Sequence, residues 1–94
     1  MQKVLEAISD PSRRKILELL KARERTVGEI LEHLEMTGAS LSHHLAKLKA
    51  ADLVLARRQG QNIYYSIHTT VFEDAAAFMV EFFARSGEKK GRSK

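Results

Sequence analysis

Ninety-four residues support one small domain, and the absence of cysteine excludes disulfides, thiolate metal sites and a cysteine nucleophile. No apolar run approaches the ~20 residues needed to span a bilayer, and the opening MQKVLEAISD lacks a secretory apolar core, so a cytoplasmic location is expected. The formal charge of +4 is local: residues 85–94 hold five cations and one anion, leaving 11 basic and 11 acidic groups in residues 1–84.

Val4, Leu5 and Ile8 predict a short first helix. Asp10-Pro11 marks a new start, because Asp10 can cap and Pro11 at the first helical position loses no hydrogen bond. Ile16, Leu17, Leu19 and Leu20 form the apolar face of this second helix, which fades into KARER at 21–25. Thr26-Val27-Gly28-Glu29 has capping-box spacing and predicts a third helix from about Val27 to Glu35. Thr37 is placed to cap a fourth helix from Gly38 to Ala50, where Leu41, Leu45 and Leu48 make an inward stripe.

The period then changes. Leu53–Gln59 and Gln61–Ile67 flank Gly60, and Ile63, Tyr65 and Ile67 alternate with Asn62, Tyr64 and Ser66, which predicts a β-hairpin. Thr70-Val71-Phe72-Glu73 repeats the capping-box spacing and opens a final helix to about Ala84. The expected architecture is mainly α with a small β-hairpin: four helices, a two-stranded wing and a fifth helix, a winged helix-turn-helix. Residues 1–85 are expected to form the DNA-binding and dimerisation domain, and 86–94 a basic disordered tail.

The fourth helix carries the functional signal. Its outward face presents Ser40, Ser42, His43 and Lys47, and bulky or acidic groups are missing from it, as a helix laid in the DNA major groove requires. Ser42 and His43 are assigned to base edges, with Gly38, Ala39 and Ser40 at the helix start allowing close approach. Thr37, Ser40 and Lys47 are the phosphate candidates. His44 is read as a packing residue or a phosphate contact. Arg57, Arg58, Gln59, Gln61 and Asn62 form the wing tip, expected to reach the minor groove or flanking backbone. From Thr37 to Ile67 the cations Lys47, Lys49, Arg57 and Arg58 face only Asp52, while the preceding helix holds Glu29, Glu32 and Glu35. That polarity suits a surface offered to phosphates. Arg13 and Arg14 are read as helix-surface ion pairs.

DPSRRKILELL at 10–20, SLSHHLAKLKAADLV at 40–54 and RRQGQNIYYSI at 57–67 resemble, in order and spacing, the three signature segments of the ArsR family of bacterial winged-helix repressors. The SHHL and IYYS wording and the cysteine-free third helix are most similar to its metal-independent SdpR-like autorepressors. The resemblance implies a homodimer that binds an inverted-repeat operator, often in its own promoter, and represses transcription by blocking polymerase. Asp52 stands where the family usually has glycine. Aspartate tolerates left-handed backbone better than most residues, so the turn is expected to survive.

On the last helix, Val71, Ala75, Phe78 and Phe82 make one stripe and Phe72, Ala76, Met79 and Phe83 its neighbour. One stripe suffices for a monomer. Two adjacent stripes imply that one side packs on the home domain and the other meets a partner, either face being open to that role. With Val4, Leu5 and Ile8 completing the surface, it is expected to form a twofold dimer that sets two recognition helices about 34 Å apart. The expected partners are double-stranded DNA and a second copy of the chain, with room for an anti-repressor protein or a small ligand. No metal or other cofactor is expected: the third helix has His33 but no cysteine, the last has Glu73, Asp74 and Glu81, and His68 lies nearby. Two alternatives use the same fold, a metal- or ligand-responsive sensor and a module for protein contacts only. An enzyme is not expected. Ser42, His43 and His44 are adjacent on a helix and point about 100° apart, which makes no relay.

Overall fold

The computed structural model describes the backbone of residues 1–93 and the side chains of residues 1–85. Helix α1 (Gln2–Ile8) leads into α2 (Pro11–Ala22), whose cap is Asp10: its carboxylate accepts from the N–H groups of Ser12 (2.7 Å) and Arg13 (3.2 Å). A two-residue strand β1 (Arg25–Thr26) precedes α3 (Val27–Leu31). Here the capping box is complete, with Glu29 N–H on Thr26 Oγ1 at 3.2 Å and Thr26 N–H on Glu29 Oε1 at 2.9 Å. Helix α4 (Gly38–Ala50), strands β2 (Val54–Gln59) and β3 (Asn62–Ile67), and α5 (Thr69–Ser93) complete the chain. The disordered tail expected at 86–94 lies outside the residues with described side chains. Among the described residues, no helix is long and apolar enough to cross a membrane.

The core is shared by every element of the helix-turn-helix. Ile16, Leu17 and Leu20 of α2, Ile30 of α3, and Leu41, Leu45 and Leu48 of α4 close on Val4 and Ala7 of α1 and on Leu53 and Val54 at the start of the wing. Burial of a leucine or isoleucine contributes about 1.5–3 kcal/mol. No buried polar side chain is left without a partner among the described residues. Apolar burial therefore sets where the helices lie.

The wing is a winged-helix hairpin closed by two residues. Gln59 pairs with Asn62, so Gly60 and Gln61 form the turn, and positive φ falls on Gly60 (65°) and not on Gln61. That sign pattern is the type II′ hairpin turn, which asks for glycine at its first central position. Strand β1 is an addition to the expected architecture. It pairs antiparallel with β3, Arg25 opposite Tyr65 and Thr26 opposite Tyr64, making a three-stranded sheet of order β1-β3-β2. Two residues are too few to show a period.

Two boundaries and the use of two arginines differ from expectation. Helix α3 ends at Leu31, not near Glu35, because its last turn tightens: His33 N–H bonds the Ile30 carbonyl and Leu34 N–H the Leu31 carbonyl. Leu34 and Met36 thereby pack against the core. Helix α5 starts at Thr69, with His68 in the capping position instead of Thr70. The His68 carbonyl accepts from Phe72 N–H, and its Nδ1 from Val71 N–H at 3.5 Å. Among the described residues Arg13 and Arg14 make no ion pairs; they donate to α1 carbonyls, Arg14 to Ile8 at 2.7 Å. A helix C-terminus leaves such acceptors unfilled and its dipole favours cations.

Helix α4 ends as expected. Leu53 N–H bonds the Leu48 carbonyl (3.0 Å) and Asp52 N–H the Lys49 carbonyl (2.9 Å), with Asp52 at φ 59°. These paired bonds around one left-handed residue are a Schellman motif, with aspartate in the place glycine usually takes.

Candidate nucleic-acid interface

Helix α4 lies on its three leucines, and its opposite face is open. Gly38, Ala39, Ser42, His43, Ala46, Lys47, Lys49 and Ala50 are all exposed, whereas Leu41 and Leu48 are fully buried. The outward residues Ala39, Ser42, His43, Ala46, Lys47 and Ala50 follow the helical period and are small, hydrogen-bonding or cationic. Ala46, Lys49 and Ala50 go beyond the residues expected from the sequence, although stepping three or four residues from Ser42 and His43 finds them. No residue of α4 is acidic.

The start of α4 is built for approach. Thr37 caps it, its Oγ1 accepting the Ser40 N–H at 3.1 Å. The backbone donor of Ser40 is therefore engaged, and its side chain is half-buried, so the open donors of the first turn belong to Gly38 and Ala39. Thr37, Gly38 and Ala39 sit together on the exposed approach to Ser42 and His43. His44 turns aside, half-buried, with its Nδ1 3.3 Å from Arg13 Nη1. The His43 and His44 rings stand edge to face with centroids 5.8 Å apart. Ser42 hydrogen-bonds to neither, so no nucleophile–base pair exists there.

The wing places its polar residues unevenly. Arg57, Arg58, Gln59, Gln61 and Asn62 are all exposed. Successive strand residues point to opposite faces, so Arg57 and Arg58 leave the hairpin on different sides. Arg57 packs 5.0 Å from the centre of the Tyr64 ring, its direct cross-strand partner. It also donates to Gln59 Oε1 at 2.6 Å and to Glu24. Arg58, Lys47 and Lys49 form no ion pair among the described residues.

Two capping carboxylates are engaged away from the α4 face. Glu29 is engaged in the α3 capping box and lies 3.8 Å from Arg23. The Thr26 N–H donor holds its carboxyl below the usual carboxylate value, against an opposing effect of desolvation, with help from Arg23 and Arg25. At Asp10 desolvation raises the carboxyl. The N–H donors of Arg13 and Ser12, with the charge of Arg13, outweigh it and lower the net value. Neither carboxylate belongs to the α4 face.

The residues assigned to self-association divide along α5, not around it. Val71, Phe72 and Ala75, from both stripes, pack against the chain's own core. Further along, Phe78, Phe82 (55% exposed) and Phe83 (60% exposed) are open, joined by Val80, which belongs to neither stripe. Phe78 and Phe82 stack with centroids 6.4 Å apart, and Phe83 meets Phe82 edge-on at 5.4 Å. Met79 is half-buried beside them. Val4, contrary to expectation, does not belong to this surface: it is buried in the domain's own core, because α1 turns it toward α2 and α4. Ile8 also packs inward, whereas Leu5 is exposed. His68, a conceivable metal ligand with Asp74, is used as the α5 cap, and no cluster of three metal-binding side chains occurs among the described residues.

Comparison with known proteins agrees with this geometry. The transcriptional repressor SdpR of Bacillus subtilis (strain 168) is 50% identical over 82 residues, covering 87% of this chain and 91% of that protein. Among solved structures, NolR from Sinorhizobium fredii has a TM-score of 0.70 at 36% identity, covering 82% of this chain and 78% of that one. An ArsR-like transcriptional regulator from Rhodococcus sp. RHA1 shares the fold with a TM-score of 0.85 at 22% identity, over 99% of this chain and 88% of that one. Residues 10–55, from the Asp10 cap to the first residues of the wing, match the family described as "Bacterial regulatory protein, arsR family". A leucine-seated helix with an acid-free outer face, a basic two-residue-turn wing and a relative alike over most of both lengths lead to one assignment: the chain belongs to the arsR family of bacterial regulatory proteins.

Proposed function

We propose that this chain is a transcriptional repressor that binds an inverted-repeat operator as a homodimer and blocks transcription, including transcription from its own promoter, in the cytoplasm. The observation that carries the reading is the outer face of α4, where Ala39, Ser42, His43, Ala46 and Lys47 stand clear of the core on a helix anchored by three buried leucines. Small residues let the backbone approach, and Ser42 and His43 can donate to or accept from base edges. Lys47 and Arg58 supply charge for phosphates.

Self-association is supported by the exposed aromatic cluster on α5. Phe78, Phe82 and Phe83 form a contiguous exposed aromatic patch, the kind of surface that marks an interaction site. A second copy brought to this surface gives the twofold pairing that an inverted repeat demands.

Selection of bound sites from a random duplex library tests the proposal. The expected result is an enriched inverted repeat whose half-sites lie about one helical turn apart. A template carrying that repeat at its promoter is then expected to lose transcripts in vitro as the protein is added. Absence of enrichment, or enrichment of single half-sites only, overturns the reading.

A further inference from the structure

One arginine joins three helices. Arg13, the third residue of α2, donates through Nε to the Ala7 carbonyl at 2.7 Å and through Nη2 to the Glu6 carbonyl at 3.2 Å, both at the C-terminal end of α1. Its Nη1 lies 3.3 Å from Nδ1 of His44 on α4. A guanidinium carries only donors and keeps its charge, so His44 Nδ1 has to be the acceptor. The imidazole is then neutral with its proton on Nε2.

We propose that Arg13 is a positioning residue for DNA recognition: it fixes His44 as the Nε2–H tautomer and sets the roll of α4 against the C-terminal end of α1. The proposal rests on the DNA-binding reading above. Leu41, Leu45 and Leu48 fix how deep α4 sits, but a single apolar stripe resists rolling about the helix axis weakly, because the hydrophobic effect has no direction. A hydrogen bond to His44, to one side of that stripe, supplies the missing direction. Side-chain tips lie about 5–6 Å from a helix axis, so about 10° of roll moves Ser42 and His43 by roughly 1 Å. That displacement exceeds the tolerance of about 0.5 Å for a preorganised contact.

The surroundings favour the arrangement. Asp10 of α2 and His43 of its own helix also lie near the ring. Asp10 accepts from the N–H groups of Ser12 and Arg13 through Oδ1, and the hydrogen bond to the His44 ring comes from the guanidinium. On the α1 side, Lys3, Glu6, Arg13 and Lys47 line a small cleft between α1 and α4. Helix α1 has seven residues and no side-chain N-cap, too short to hold its own place. The Arg13 bonds at its C-terminal end make it a usable reference for α4.

The test has two arms. In the free 15N-labelled chain, ring-nitrogen correlations are expected to show His44 with bare Nδ1 and protonated Nε2, and to lose that preference in Arg13→Gln. An Nδ1–H tautomer in the wild-type chain overturns the proposal. The second arm uses the duplex enriched by selection. His44→Asn puts an amide oxygen near the place of Nδ1, and His44→Gln puts one near Nε2, with Arg13 still holding α1 in both. Asn is expected to bind within about threefold of wild type and Gln about tenfold more weakly, the range of one charge-assisted hydrogen bond. The reverse order overturns the proposal, as does strict additivity of Arg13→Gln with His44→Gln. If wild type binds no duplex, the functional reading falls, and the tautomer still decides the Arg13–His44 contact.

Discussion

Arg57 and Glu24 are tied together across the central strand of the wing: Arg57 Nη2 donates to Glu24 Oε1 at 2.8 Å and to Oε2 at 3.0 Å. Glu24 lies just before β1 and Arg57 on β2, with Tyr64 of β3 beneath the guanidinium. On the proposed DNA-binding reading, Arg57 also serves a phosphate, and the carboxylate already holds its guanidinium. It competes with the duplex for the arginine. Both side chains are about half exposed, so the contest is close.

Glu24→Gln is therefore expected to tighten binding to the selected duplex. An exposed ion pair contributes at most about 1 kcal/mol, which corresponds to about fivefold in affinity. Fluorescence anisotropy at two salt concentrations reads it. Weaker binding shows instead that Glu24 aims Arg57 at its target.

Replacing both Arg57 and Arg58 by alanine is expected to weaken binding to every duplex by a similar factor. The slope of log affinity against log salt becomes shallower by about 0.9 for each phosphate left without its arginine. A change confined to one sequence position contradicts a backbone role for the wing.

Asp52 is strained in its left-handed conformation, and its carboxylate sits at the unfavourable end of the α4 dipole. Asp52→Gly is expected to be neutral or stabilising by up to about 1 kcal/mol, and Asp52→Val destabilising by about 1 kcal/mol or more. Urea unfolding monitored by circular dichroism measures both. A loss of stability in the glycine variant contradicts the strain argument.

Acid weakens the fold through two capping carboxylates. Both Asp10 and Glu29 have folded values below the ordinary ones, so their stabilisation is present above the ordinary carboxylate range and is lost as pH falls through the lowered values. Asparagine caps a helix about as well as aspartate but does not titrate. The stability difference between wild type and Asp10→Asn is expected to shrink steadily from about pH 5 to about pH 3 in thermal melts. A constant difference across that range removes Asp10 from the account.

Phe82→Asp places a charge in the exposed aromatic cluster without touching the core, since Phe82 is more than half exposed. The fold is expected to persist by circular dichroism while sedimentation shifts from dimer to monomer. An unchanged oligomeric state moves the partner surface elsewhere.

Much of this was legible because it depends on local rules. The Asp10-Pro11 start, the Thr26–Glu29 box, the leucine stripe of α4 and the glycine turn of the wing each follow from a few neighbouring residues, whereas the turn at Asp52 is expected from the family resemblance. What escaped depends on residues far apart in the chain. β1 exists only because β3 lies beside it, and His68 displaces Thr70 as cap because the Leu53 carbonyl accepts the His68 N–H at 2.9 Å and fixes where the chain enters α5. Arginines that suggest ion pairs in the sequence instead satisfy carbonyls at helix ends, as Arg25 also does for Leu19. The division of α5 by length, not by face, could not be read either, since periodicity does not show where the rest of the domain stops.

The small strand β1 has an outcome out of proportion to its size. A hairpin held along one side only would swing like a free flap and fit itself to whatever it met. Here Arg25 and Thr26 clasp the hairpin's other flank, and Thr26 is also the cap of α3. The wing is thereby tethered to the start of α3. On the proposed DNA-binding reading, a duplex of unsuitable groove width has to deform to meet it, which is expected to give selectivity at base pairs that no side chain touches.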